Sequence, residues 1–273
     1  MEPAAVLDME LKLLLEAIYL RFHYDFREYS IASLRRRVAQ AMIQLNCPSV
    51  SRLQEKLLHD PDAFPALLQY MTVQVSDMFR DPSYWRSMRQ LVLPVLGTYP
   101  SLKMWIAGCS TGEEVYSLCI LLREEGLLDR SLVYATDINA ESLRRAQSGV
   151  FEMERVARFS HAYREAGGRG SLADYYTAAY ESAVFDKTLV KNVVFSDHSL
   201  ATDSVFSEVQ LVSCRNVLIY FNTSLQERAI RLFSDSLVRK GFLGLGSRES
   251  LRSIATGMAF DEVVREDRIF QKL

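Results

Sequence analysis

The spacing of apolar residues changes near residue 102, and that change organises the chain. Up to residue 100 they recur at helical intervals. Leu7, Leu11, Leu14, Leu15 and Ile18 form one stripe, and the turn-like residues 24–30 end it. Ser33 then caps a second helix with Leu34, Val38, Ala41, Met42 and Leu45 inward, closed by Pro48. Ser51 starts a third with Leu53, Leu57 and Leu58, and Asp60-Pro61 a fourth with Phe64, Leu67, Leu68 and Met71. Asp-Pro places an N-cap before a proline whose missing N–H costs nothing in the first helical turn. The same pair recurs at Asp81-Pro82, ahead of Tyr84, Trp85, Met88, Leu91 and Val95. Residues 1–80 thus read as a small helical domain and 81–101 as a linker helix.

From residue 102 to 273, short apolar runs alternate with amphipathic helices. This is the pattern of an α/β, doubly wound, Rossmann-like domain with a mostly parallel sheet. Strand-like runs fall at 102–107, 132–136, 193–195, 209–213, 242–245 and 268–272. Helices fall at 113 onward, at 139–147, and from Asn222 or Thr223 to Gly241. Residues 150–192 interrupt the alternation with a charged helical piece, a glycine-rich turn and a candidate β-hairpin at 175–185. They read as a small antiparallel insertion.

The most informative stretch is Trp105-Ile-Ala-Gly-Cys-Ser-Thr-Gly-Glu-Glu-Val-Tyr-Ser117. A strand runs into a turn of small residues centred on Gly108, a helix follows, and the next strand ends in Asp137. Strand, glycine turn, helix, strand and acid in that order describe a nucleoside-binding unit whose acid takes ribose hydroxyls. A pyrophosphate would sit on the helix N-terminus, but Glu113 and Glu114 stand there and would repel it. They suit a ligand with a positive group, such as the ammonium of S-adenosylmethionine. Acids in a first helical turn also complement the helix dipole without any ligand, so the turn alone leaves both readings open and Asp137 favours the cofactor.

Composition adds bounds. The net charge of −2 gives no global attraction for nucleic acid or anionic membrane. The four cysteines form no Cys-x-x-Cys pair and have no histidines at metal-ligand spacing, so reduced thiols, no metal and a cytoplasmic location are expected. Asp8, Glu10, Lys12 and Glu16 break up the N-terminal leucines, which excludes a signal peptide from that stretch. Arg35, Arg36 and Arg37 read either as a solvated face or as a positive patch for an acidic partner.

Three further strings carry a resemblance. They are Met71-Thr-Val-Gln-Val-Ser-Asp-Met-Phe-Arg80, Phe195-Ser-Asp-His-Ser-Leu200 and Ser213-Cys-Arg-Asn-Val-Leu-Ile-Tyr-Phe221. With Cys109-Ser-Thr-Gly-Glu-Glu114 and Ala135-Thr-Asp-Ile138, in this order, the chain resembles the chemotaxis receptor methyltransferases, the CheR-type protein-glutamate O-methyltransferases. The resemblance implies an S-adenosyl-L-methionine-dependent enzyme, releasing S-adenosyl-L-homocysteine, that esterifies glutamates on the cytoplasmic helices of chemoreceptors or of a related signalling receptor. It implies a monomer, with no nucleic-acid partner and no membrane insertion. Glu114 would contact the methionine part and Asp137 the ribose. Gly108, Ser199, Leu200, Arg215 and Asn216 would complete the pocket, and Gln74, Ser76 and Arg80 would reach in from the linker. Arg80 and Tyr220 would flank the transferred methyl. Arg35, Arg36 and Arg37 would dock the acidic receptor helices, with the 150–192 insertion as a second docking element. Family members carry Asn, Thr and Asn where this chain has Gln74, Ser76 and Ser199; all three replacements keep hydrogen-bonding capacity.

The chemistry is economical. A glutamate carboxyl with an ordinary pKa of about 4.3 is ionised at neutral pH, so no general base is needed and His198 reads as structural. The enzyme has to hold nucleophile, methyl carbon and sulfur in line. Arg80 can grip a carboxylate through two N–H groups, although Asp77 and Asp81 beside it offer local pairing instead. Amide and adenine N-methyltransferases carry an Asn/Asp-Pro-Pro-Tyr box; here Cys214-Arg215-Asn216-Val217 stands in that place, which favours an oxygen acceptor. The competing readings are a non-catalytic module that binds cofactor and docks on a receptor, and O-methylation of a signalling protein outside chemotaxis.

Overall fold

The computed structural model describes residues 3–72, 74–251 and 260–273. The chain divides into two compact units. The first holds Met1–Val73 with Leu200–Thr202 and Tyr220–Ala229, and the second Gln74–Ser199, Asp203–Ile219 and Ile230–Leu273.

The first unit contains α1 (Pro3–Phe22), α2 (Ile31–Gln44), α3 (Val50–His59) and α4 (Ala63–Met71). Its core is the set of stripes read from the sequence, with Leu11, Leu14, Ile18, Leu34, Val38, Leu53, Leu57, Leu67 and Met71 all buried. Three helix starts differ from expectation. Ser30, not Ser33, precedes α2, and the Ser33 hydroxyl is buried with no partner among the described residues. Ser49 caps α3 by accepting from the Arg52 N–H at 3.2 Å, while Ser51 donates to Glu10 at 2.5 Å. Asp60 accepts from the Asp62 N–H at 3.0 Å, so Asp60-Pro61 closes a turn and α4 begins only at Ala63. Serines and aspartates serve turns and caps by the same local bonds, which is why spacing alone misassigns them.

In the second unit the linker runs through α5 (Pro82–Ser87), a π-helical turn (Met88–Val92) and α6 (Leu93–Leu96). The expected inward residues Leu91 and Val95 are exposed, and Val92, Leu93 and Leu96 are buried in their place. A π turn inserts one residue and rotates everything after it by about 100°.

The sheet order is β6-β2-β1-β7-β8-β10-β9. Its strands are β1 (Leu102–Ala107), β2 (Ser131–Asp137), β6 (Val193–Asp197), β7 (Val209–Cys214), β8 (Leu237–Leu245), β9 (Phe260–Val264) and β10 (Ile269–Lys272). β1 pairs in parallel with β2 and β7, β2 with β6, and β7 with β8; β10 is antiparallel to β8 and β9. Helices α7 (Glu113–Glu124), α8 (Ala140–Ser148) and α10 (Thr223–Ser236) supply crossovers. α10 ends at Ser236 rather than Gly241. Gly241 lies within β8, where an added Cβ would meet the Val238 carbonyl at 2.9 Å. β9 is a strand that the sequence pattern did not predict.

The interruption contains β3 (Val150–Glu152), α9 (Met153–Glu165), β4 (Tyr176–Ala179) and β5 (Ser182–Phe185). Its three strands form a separate antiparallel sheet in the order β3-β5-β4. Among the described residues no helix is long and apolar enough to cross a membrane.

Candidate active site

β1 and β7 lie side by side, and the chain builds outward from them in opposite directions, through β2 and β6 on one side and β8 on the other. Ligands of such sheets bind beyond the carboxyl ends of the strands at that reversal. Gly108, Asp137 and Arg215 follow or end β1, β2 and β7, so topology brings these sequence-predicted residues to one end of one sheet.

The turn after β1 depends on its small residues. Gly108 and Gly112 have φ of 76° and 95°, and Ser110 adopts 49°. A Cβ on Gly108 would lie 2.5 Å from the Val217 side chain, and one on Gly112 2.9 Å from the Ala146 Cα, so neither position has room for a side chain. The N–H groups of Gly108 and Cys109 both donate to the Thr136 carbonyl, at 2.8 and 2.9 Å, which fixes the turn to the end of β2. Asp137 then accepts from the Ser110 N–H through Oδ2 and from the Asn139 N–H through Oδ1, both at 2.9 Å. Burial pushes its carboxyl above the usual range, against the pull of these bonds.

The two acids that open α7 have different surroundings. Glu113 is fully buried. It accepts from the Thr111 hydroxyl at 2.7 Å and lies 2.8 Å from Arg155 Nη2. Burial pushes its carboxyl up. Glu114 keeps a partly exposed carboxylate, which accepts from Ser213 Oγ at 2.6 Å and lies 3.5 Å from Arg215 Nη1. The expectation that both acids face a ligand is therefore corrected: Glu113 is committed to the protein interior, and Glu114 is the acid left at the turn.

Arg215 organises this end of the sheet. Its side chain is only 1% exposed, lies 4.1 Å over the Tyr84 ring, and donates through Nη2 to Asp81 at 2.8 Å and to the Arg80 carbonyl at 2.9 Å. Burial pushes the Tyr84 hydroxyl up to about 12. That hydroxyl is 3.1 Å from Ser213 Oγ, which extends the chain of contacts to Glu114. Arg215 thus holds the residues around it through its two terminal nitrogens, while its Nε is buried without a hydrogen-bond partner among the described residues. Asn216 follows at φ 63°, with its N–H donating to Glu249 at 3.0 Å.

Arg80 lies between two left-handed residues, Phe79 and Asp81, at φ 53° and 54°. These are costly conformations for side chains of that size. The Phe79 N–H donates to Ser117 Oγ at 2.8 Å, and the Arg80 carbonyl accepts from Trp85 Nε1 at 3.1 Å. The nearby acids are taken: Asp81 by Arg215, and Asp77 by Arg155 and Arg158. Among the described residues, the Arg80 guanidinium itself makes no hydrogen bond or ion pair. Gln74, Ser76 and Ser199 are half-buried in the same unit. The Ser76 carbonyl accepts from Arg155, and the Ser199 N–H donates to Asp203 at 2.9 Å.

Leu200 and Tyr220 belong to the first unit. There the Tyr220 carbonyl accepts from the Ser30 N–H at 2.8 Å, and the Arg37 guanidinium stacks 4.3 Å over the Tyr220 ring. Arg37 is 3% exposed, donates to the Met71 carbonyl, and is held below the usual arginine range by burial. The expected three-arginine surface is thereby corrected: Arg35, paired with Asp8, and Arg36 face solvent, while Arg37 packs inward at the next helical position. His198 is buried against Trp105 and Phe206, in keeping with a structural role.

Comparison with known proteins decides the family. The profile of the CheR methyltransferase SAM-binding domain matches residues 74–263, and that of the CheR methyltransferase all-alpha domain matches residues 9–72. The chain belongs to the CheR methyltransferase family. It is 58% identical over 265 residues to the "Putative methyltransferase Cher3" of Pseudomonas putida, covering 97% of both chains. It is 28% identical to the "Chemotaxis protein methyltransferase" of Listeria monocytogenes over 83% of this chain and 84% of that one. Among solved structures, the magnesium protoporphyrin IX methyltransferase of Synechocystis PCC 6803 with bound SAM is 16% identical. It covers 96% of this chain and 95% of its own, at a TM-score of 0.40.

This CheR-family chain is an S-adenosyl-L-methionine-dependent methyltransferase. The turn fits that cofactor on two observations: Ser110 Oγ is a buried hydroxyl with no partner among the described residues, and Glu114 offers a carboxylate suited to an ammonium group. Sequence reasoning missed Ser110, Ser213 and Arg155. Ser213 was open to discovery, because it is the next-to-last residue of β7 at the strand reversal; Arg155 has no local signal at all.

Proposed function

We propose that this enzyme methylates glutamate side-chain carboxylates on cytoplasmic helices of a chemoreceptor or related signalling receptor, forming methyl esters. The observation that carries the proposal is Arg80. It is a cation on a pinned, strained backbone whose two acidic neighbours are already paired with other arginines. That leaves its guanidinium for an incoming carboxylate, which it can meet with two parallel N–H bonds.

S-adenosyl-L-methionine supplies, when bound, a methyl group on a positively charged sulfur. Asp137 would hold the ribose hydroxyls, Glu114 the ammonium, and Gly108 and Ser110 the approach of the backbone. Asn216, Ser199, Gln74 and Ser76 would complete the polar lining, with Arg215 keeping Glu114 and the Arg80 carbonyl in place. Arg80 would orient the acceptor carboxylate, and no residue has to take a proton from it. Arg35 and Arg36 would meet acidic receptor helices, and the 150–192 insertion would give a second point of docking.

The test is transfer of tritiated methyl groups from the cofactor to purified receptor cytoplasmic fragments, counted as methanol released by alkali. Alkali-labile counts on glutamate support the reading, and none on any receptor fragment overturns it. In a parallel calorimetric titration Asp137→Ala should abolish cofactor binding. Arg80→Ala should leave affinity within a few-fold and lower transfer about 100-fold or more, since each of the two hydrogen bonds to the charged acceptor is worth about 1.5–3 kcal/mol. Equal loss of binding in both variants would refute this division of roles.

A further inference from the structure

We infer that Arg155 is a positioning residue for methyl transfer. From α9 of the inserted segment it ties the loop that carries Ser76 and Arg80 to the first turn of α7. A single nitrogen, Nη2, donates to the Ser76 carbonyl, lies 3.4 Å from Asp77 Oδ1, and lies 2.8 Å from Glu113 Oε1. Its guanidinium is also 4.9 Å over the Phe159 ring, which steadies it on its own helix.

Three segments distant in sequence therefore meet at one cation: the loop at 76–77, the start of α7, and the insertion. The junction matters at both ends. Glu113 is fully buried, and Arg155 is its ion-pair partner. A buried carboxylate stripped of its counter-charge is costly. On the loop side, Phe79 and Asp81 hold left-handed backbone that only over-determined contacts can maintain. Arg155 grips that loop three residues before Phe79. Arg158, one helical turn on, adds a bond to Asp77 at 2.6 Å but reaches neither Ser76 nor Glu113. Anything that shifts α9 is thereby transmitted to the backbone that presents Arg80.

The catalytic half of this inference rests on the proposed role of Arg80; the structural half does not. Arg155→Ala alone confounds a loosened loop with an uncompensated buried acid, so the informative variant is Arg155→Ala with Glu113→Gln. The double variant should recover the melting temperature lost in the single one. Its loop should nevertheless exchange amide hydrogens at least about ten-fold faster over 74–80, with 114–124 unchanged. With receptor fragment as acceptor, kcat should fall about ten-fold or more while the calorimetric Kd for cofactor moves less than three-fold. Arg155→Lys, which keeps a charge for Glu113 but is shorter and lacks the planar guanidinium that stacks on Phe159, should keep the melting temperature and share the kcat loss. If the double variant regains wild-type exchange over 74–80, or full kcat along with its stability, Arg155 serves only to neutralise Glu113 and the inference falls. Should wild type methylate no receptor fragment, the function proposal fails, and the exchange measurement still decides the role of Arg155.

Discussion

Glu113 and Glu114 show how much one position of helical rotation decides. The side chains are identical and adjacent, yet one is sealed against Arg155 and Thr111 while the other stays at the turn with Ser213. Glu249 is a second acid whose role only packing reveals. Its buried carboxylate accepts from the N–H groups of Gly246 and Asn216 at 2.6 and 3.0 Å, both through Oε2. Burial pushes its carboxyl above the ordinary value of 4.5. The folded state thus holds the proton more tightly than the unfolded chain. The contribution of this group is full below the ordinary pKa and is lost as pH rises through the raised one. Glu249→Gln keeps an acceptor oxygen and does not titrate. Its melting temperature relative to wild type should therefore rise between about pH 4 and about pH 7. A difference that falls with pH would show that the carboxylate is favoured by its N–H donors over burial.

At the scale of elements, helix boundaries test the capping argument. Ser49 accepts the Arg52 N–H, whereas Ser33 lies inside α2 with a buried, unpaired hydroxyl. Ser49→Ala should cost about 1 kcal/mol in urea denaturation. Ser33→Ala should be neutral or stabilising, because it removes an unsatisfied buried polar group. Equal costs would refute the cap assignment. The turn after β1 was legible because its cause is local: positive φ at Gly108 and Gly112 needs glycine wherever the rest of the chain goes. The phase of the linker helix was not legible, because the π turn at Met88–Val92 is a compromise with surrounding packing and leaves no mark in the spacing.

For the whole molecule, the thiols give a simple test. All four cysteines are free and buried, and burial pushes the Cys109, Cys119 and Cys214 thiols up. Thiolate is the reactive form. Native protein should therefore react with none of its four thiols on the minute scale with a disulfide reagent, and with all four in guanidinium. A fast-reacting native thiol would mark a segment that opens easily.

The sequence by itself determined the helical first unit, the alternating α/β region, the glycine turn, the acid ending β2 and the family, because periodicity, caps and glycine φ are written within a few residues. Tertiary structure alone decided which charges were available for chemistry. Arg37 went inward onto Tyr220, and Arg215 became a buried brace. Glu113 was paired with a residue from the insertion, and the Arg80 guanidinium was left without a partner among the described residues because its acidic neighbours found other arginines. The physical reason is that an ion pair depends on which elements pack together, and the partners here lie tens of residues apart, beyond any local pattern in the chain.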